Sequence, residues 1–113
     1  MSLFNLRLSE IHNELHSRNV SVSELVDGSL ARIRDTDGEL GAFLTLDETG
    51  ARETAKALDE QLARGGERGL LFGLPAGIKD NMATEGLRTT CASRFLDNHI
   101  PVYDATVVGK LKD

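Results

Sequence analysis

The chain has 113 residues, of which 40% are hydrophobic and 27% charged, with a formal net charge of -5. That is the profile of one small soluble globular domain. An acidic balance excludes a main nucleic-acid surface, which needs clustered Lys and Arg. The single cysteine, Cys91, excludes an internal disulfide and fits a reducing compartment. No apolar run approaches the length of a membrane span. Met1-Ser2-Leu3-Phe4-Asn5 carries no basic region ahead of an apolar core, so no secretory signal is read and the cytoplasm is the expected location.

Leu8, Ile11 and Leu15 recur at helical spacing and predict a first helix over roughly residues 8–18. Ser21-Val22-Ser23-Glu24 is a capping box with Ser21 as N-cap. It opens a second helix with a buried stripe of Leu25, Val26, Ser29, Leu30 and Ile33, which Asp37-Gly38 and Gly41 end in a turn. Ala42–Leu46 is a short strand candidate. Asp47 is placed to cap a third helix with Ala51, Ala55, Leu58 and Leu62 on one face, and Gly65-Gly66 stops it. The apolar run Leu70–Ile78, punctuated by Gly and Pro, predicts a buried strand ending at Lys79-Asp80-Asn81. Residues 80–103 lack periodicity and read as loop with short elements, and a loop of that length beside a strand end is often functional. Asp104 is placed to cap a last helix carrying Val107, Val108 and Leu111. Helices first, then two strands and a loop around the lysine segment, predict an α/β class. Two strands make only the start of such a sheet, so residues 1–113 are expected to be the N-terminal piece of one domain continuing beyond residue 113; the rival is a small stand-alone α/β domain.

Lys79 is the leading candidate for chemistry. Strands of open α/β sheets deliver functional residues at their carboxyl ends. A part-buried amine there has a lowered pKa and can act as a base; the plainer alternative is the first solvated residue after a strand. Gly73-Leu74-Pro75-Ala76-Gly77-Ile78-Lys79-Asp80 fails as a phosphate-binding loop: the glycine spacing is short, Ile78 precedes the lysine, and Asp80 replaces the hydroxyl that holds magnesium. Gly73 and Gly77 instead permit close packing. His12 and His16 have a zinc-compatible spacing but lack the His-Glu-x-x-His order and a third ligand, with His99 unplaced; the plainer reading is a solvated helix flank, and no metal site is assigned. Cys91 as a nucleophile has no local support and reads as packing. Thr89, Thr90 and Ser93 either supply hydroxyls near Lys79 or bond their own backbone in turns.

Leu71–Asn81, with Gly86-Leu87-Arg88-Thr89-Thr90-Cys91-Ala92-Ser93 and Tyr103-Asp104-Ala105-Thr106-Val107-Val108, closely resembles the lysine segment of the amidase signature family. Within it, these residues look most like the A subunits of the bacterial tRNA-dependent amidotransferases. The likeness covers essentially the whole chain, and residues 71–108 are its specific part. It implies a large mixed sheet with helices on both faces and a Ser–cis-Ser–Lys triad. Lys79 falls on the catalytic lysine. The two serines belong to a Gly/Ser-rich motif that does not occur in these residues, and Ser93 matches neither. Residues 1–113 alone are therefore expected to be inactive.

The resemblance further implies glutamine as substrate and ammonia as product. The ammonia passes to a partner, the B subunit, which uses ATP and magnesium to amidate Glu-tRNA(Gln) or Asp-tRNA(Asn), with a C subunit bridging the two. No cofactor is expected in this chain, and tRNA is reached only through the complex. The alternatives are an amidase-signature hydrolase without partner subunits and a non-catalytic adaptor.

Overall fold

A computed structural model describes residues 3–66 and 68–113, and nothing is said of the side chain of Phe4. The element order is a 3-10 turn Leu3–Asn5, α1 Leu8–His16, α2 Val22–Leu40, α3 Glu48–Arg64, a 3-10 turn Arg94–Leu96 and α4 Thr106–Lys112. These divide into two units. The first is the stretch ending at Glu39 joined with Glu48–Pro75, and the second is Leu40–Asp47 joined with Ala76–Asp113.

The first unit is helical, and its core is the predicted aliphatic stripes. Leu15, Val22, Leu25, Val26, Leu30 and Ala55 form one buried cluster, with Ile11, Ala51, Leu58, Phe72 and Leu74 packed on it. The capping box forms as read: the Ser21 N–H donates to Glu24 Oε2 at 2.8 Å, and the Glu24 N–H donates to Ser21 Oγ at 3.1 Å. α2 runs through Gly38 and ends before Gly41, whose φ of +60° takes the left-handed conformation that suits glycine. The last carbonyls of α3 are capped by arginines. Arg18 Nη2 donates to the oxygens of Leu62 and Ala63 at 3.4 and 3.2 Å, and Arg68 Nη2 donates to Leu62 O at 3.1 Å.

The predicted strands do not form, and among the described residues there is no mixed sheet. A strand exists only through a ladder with a neighbour. Leu70–Leu74 folds onto itself instead: the Phe72 N–H bonds Gly69 O at 3.1 Å, and the Leu74 N–H bonds Leu71 O at 3.1 Å. Gly73, at φ +74°, completes that turn; an added Cβ would stand 2.8 Å from Val22 Cγ2. Close packing at Gly73 is therefore real, but it serves a turn against α2. Ala42–Leu46 is irregular, and the only ladder contact among the described residues is the isolated antiparallel bridge Thr84–Leu87.

The second unit is loop-rich, as read for residues 80–103, and is held by crossing backbone bonds. The Gly86 N–H donates to Pro101 O at 3.0 Å, the Thr89 N–H to His99 O at 3.0 Å and the Ala105 N–H to Ala83 O at 2.8 Å. α4 begins one residue later than expected, with Ala105 rather than Asp104 at its N-cap. The Asp104 carboxylate is already engaged by the Glu85 N–H at 2.8 Å and Lys112 Nζ at 2.6 Å. Of the expected apolar stripe, Val108 is buried while Val107 and Leu111 are exposed within this unit.

Candidate active site

An open cleft of about 500 Å³ lies within the second unit. Ala42–Thr45 form part of its lining, Gly77–Asp80 another part, and Met82, Thr84 and Leu87–Thr89 the rest. Lys79 lines it and is exposed, so the expected partial burial of its amine is not observed. The burial was inferred from a strand end, and no strand carries this lysine. Its backbone is instead set by a turn in which the Met82 N–H donates to Lys79 O at 3.0 Å.

Asp80, the next residue, is the most heavily bonded group of the site. Its carboxylate accepts the Thr90 N–H at 2.8 Å, the Thr90 hydroxyl and the Ala92 N–H at 3.1 Å, while its carbonyl accepts the Cys91 N–H at 2.8 Å. The Thr90 hydroxyl and N–H, then the Ala92 N–H, hold this carboxyl below the usual aspartate range, with the Arg88 charge adding to the effect. Thr89 and Thr90 are buried. Cys91 and Ala92 follow at φ 52° and 53°, a left-handed corner without glycine.

Arg88 fixes the opposite lining. Its guanidinium donates to the carbonyl and the carboxylate of Asp97, and through Nη1 to Leu44 O at 3.3 Å and Thr45 Oγ1 at 3.2 Å. One planar fork thus joins the Ala42–Thr45 lining to the loop at Asp97.

The hydroxyls considered as partners for Lys79 are engaged elsewhere. Thr89 Oγ1 donates to Leu87 O at 3.0 Å, and Thr90 Oγ1 to the Asp80 carboxylate. Ser93 is an N-cap, its hydroxyl accepting the Phe95 N–H at 3.3 Å. No serine is among the cleft-lining residues. Cys91 is exposed rather than packed, because the left-handed corner turns the chain at the surface. On α1, His12 and His16 stack with ring centroids 4.2 Å apart, and His16 Nδ1 lies 3.1 Å from His12 O. Among the described residues, no group of three His, Cys, Asp or Glu is placed to hold a metal ion. None of the described helices is long and apolar enough to cross a membrane.

Asp80 and Arg88 were not singled out as site residues by sequence. The signal for Asp80 was an aspartate beside the lysine with a Thr-Thr pair ten residues on, a pattern suited to a side chain accepting loop N–H groups. Arg88 and Asp97 have no periodic spacing that would pair them.

A family model described as Amidase matches residues 24–113. The A subunit of the glutamyl-tRNA(Gln) amidotransferase of Halalkalibacterium halodurans is 55% identical over 113 residues, which cover 100% of this chain and 23% of that protein. The same-named protein of Brevibacillus brevis is 54% identical over 114 aligned residues, covering 100% and 23%. That of Shouchella clausii is 55% identical over 112 residues, covering 99% and 23%. The chain therefore spans 23% of the length of these curated relatives.

Proposed function

The chain belongs to the amidase family, and on that premise we propose that it forms the lysine-bearing part of a glutamine-hydrolysing amidotransferase subunit, within one amidase domain of a longer protein. The observation that carries this reading is Lys79 on an open cleft, in a segment whose relatives at 53–55% identity are named as such subunits. The mixed sheet implied by the family would be completed by further chain.

In this reading Lys79 is the proton acceptor. A neutral lysine amine takes the proton of a serine hydroxyl, through a second serine, as that oxygen attacks the side-chain amide of glutamine. The C–N bond breaks, the relay returns the proton to nitrogen, and ammonia leaves. Water, activated in the same way, cleaves the ester and releases glutamate. Neither serine comes from the cleft described above, so both are assigned to other parts of the subunit. Lysine works as a base in its neutral form, which desolvation favours. Those same parts are assigned the cover over the exposed amine.

The ammonia is used by a partner, the B subunit, with ATP and magnesium, to amidate Glu-tRNA(Gln) or Asp-tRNA(Asn), and a C subunit bridges the two. The net charge of -5 suits a chain that leaves tRNA contact to its partners. The complex is assigned to the cytoplasm. The test compares glutamine-driven with ammonia-driven amidation in the assembled complex carrying Lys79→Ala. Loss of the first with retention of the second supports the reading, and retention of both rejects it.

A further inference from the structure

A base on a long flexible stem acts efficiently only if its backbone is fixed. Lys79 belongs to no helix or strand, so no ladder fixes it. Four donors converge on its neighbour instead. The carboxylate of Asp80 takes the Thr90 N–H, the Thr90 hydroxyl and the Ala92 N–H, and its carbonyl takes the Cys91 N–H. Thr90 Oγ1 also accepts the Ala92 N–H at 3.1 Å. Cys91 and Ala92 sit in the left-handed region that L-residues avoid, a conformation that persists only where surrounding bonds dictate it. Thr90 itself is only 3% exposed, so the anchor lies in the interior of this unit while Lys79 remains at its surface.

We propose that Asp80 is a positioning residue for the Lys79 base: its clasp on Thr90–Ala92 fixes the backbone from which the lysine reaches into the cleft. The inference rests on the reading of Lys79 as the base. An ionised carboxylate is an acceptor only and satisfies all of these donors. Asparagine has the same shape but only one acceptor atom, and it sets N–H groups against N–H groups. The Thr90 hydroxyl is the one side-chain donor of the clasp, so it can be removed without touching Asp80.

The test uses the full-length protein assembled with its partner subunits and measures glutamine-driven and ammonia-driven amidation. Asp80→Asn lowers the glutamine-driven kcat by about 10- to 100-fold, as expected for a misplaced base. KM for glutamine and the ammonia-driven rate stay near wild type. Thr90→Val gives a smaller fall of the same kind, and Thr90→Ser restores the rate. The double variant Asp80→Asn/Thr90→Val is no slower than Asp80→Asn, because both cut one linkage. Should Asp80→Asn fail to assemble, Thr90→Val carries the test, since it leaves the carboxylate its two backbone donors.

The proposal is overturned by a near-wild-type kcat in both single variants. It is also overturned if kcat, KM and the ammonia-driven rate decline together, which marks a purely structural role. Lys79→Ala separates the two claims. If it keeps its glutamine-driven rate, the base reading fails; if it loses that rate while Asp80→Asn and Thr90→Val keep theirs, only the positioning role fails.

Discussion

Asp59 of α3 and Ser23 of α2 are joined twice: the carboxylate accepts the Ser23 hydroxyl at 2.6 Å and the Ser23 N–H at 3.0 Å. The same carboxylate takes the Val22 N–H at 2.7 Å. α2 therefore starts under two caps, its own box from Ser21 and Glu24 and this carboxylate from another helix. The N–H groups of a first turn have no partners within their own helix, and negative charge is favoured there. Asp59→Ala should lower stability by about 1–3 kcal/mol, the cost of orphaning part-buried donors. Denaturant unfolding of the full-length protein measures it, and an unchanged midpoint would refute the second cap.

Gly73 is the one position where both backbone and space require glycine. Its φ is +74°, and a Cβ would stand 2.8 Å from Val22 Cγ2 and 3.4 Å from Leu15 Cδ1. Gly73→Ala should destabilise by more than about 1 kcal/mol. Gly38 lies inside α2 with nothing within 4 Å of an added Cβ, so Gly38→Ala should stabilise by about 0.5–1 kcal/mol. Equal melting temperatures for the two variants would contradict this contrast.

Much of the first unit was legible because its information is local. The period of Leu25, Val26 and Leu30, the box at Ser21 and Glu24, and the glycines after Arg64 each act within a few residues. The strands were misread for the opposite reason. Apolar content in Leu70–Ile78 reports burial, whereas a strand also needs a partner ladder, and none of the described residues supplies one. Lys79 was located by its place after that run, while its surroundings were not. Asp80 bonds residues ten and twelve positions away, and Arg88 reaches Leu44 and Asp97. Loop contacts at those separations have no period to betray them.

Four carboxylates are held below their ordinary values: Asp80 by Thr90 and Ala92, Asp104 by Lys112 and Glu85, Glu24 by Ser21, and Glu48 by Arg34 and Arg52. A depressed folded-state pKa stabilises the folded form above the unfolded-state pKa, and that contribution is lost as pH falls through the folded value. Stability should therefore fall on acidification below the ordinary carboxylate range and stay flat across neutral pH on account of these groups. Asp80→Asn should flatten part of that acid limb. Unfolding midpoints across the acid range check it, and an acid limb identical to wild type would contradict the Asp80 contribution.

Arg88 should hold the Ala42–Thr45 lining of the cleft in place. Lysine cannot reproduce a fork that reaches Asp97, Leu44 and Thr45 together. In Arg88→Lys, amide hydrogen exchange should accelerate at residues 42–46 and around Asp97, while the first unit stays protected. Unchanged exchange at 42–46 would show that the lining is fixed by other contacts.

The most direct test of Lys79 as a base is the glutamine-driven amidation rate of Lys79→Arg in the assembled full-length complex, read beside its ammonia-driven rate. Arginine keeps the positive charge but does not deprotonate in proteins. The glutamine-driven rate should drop by at least the roughly 10²–10⁴-fold typical of a lost general base, with ammonia-driven amidation intact. A Lys79→Arg protein that uses glutamine at close to the wild-type rate would show that this position needs only a positive charge, and Lys79 would no longer be the base.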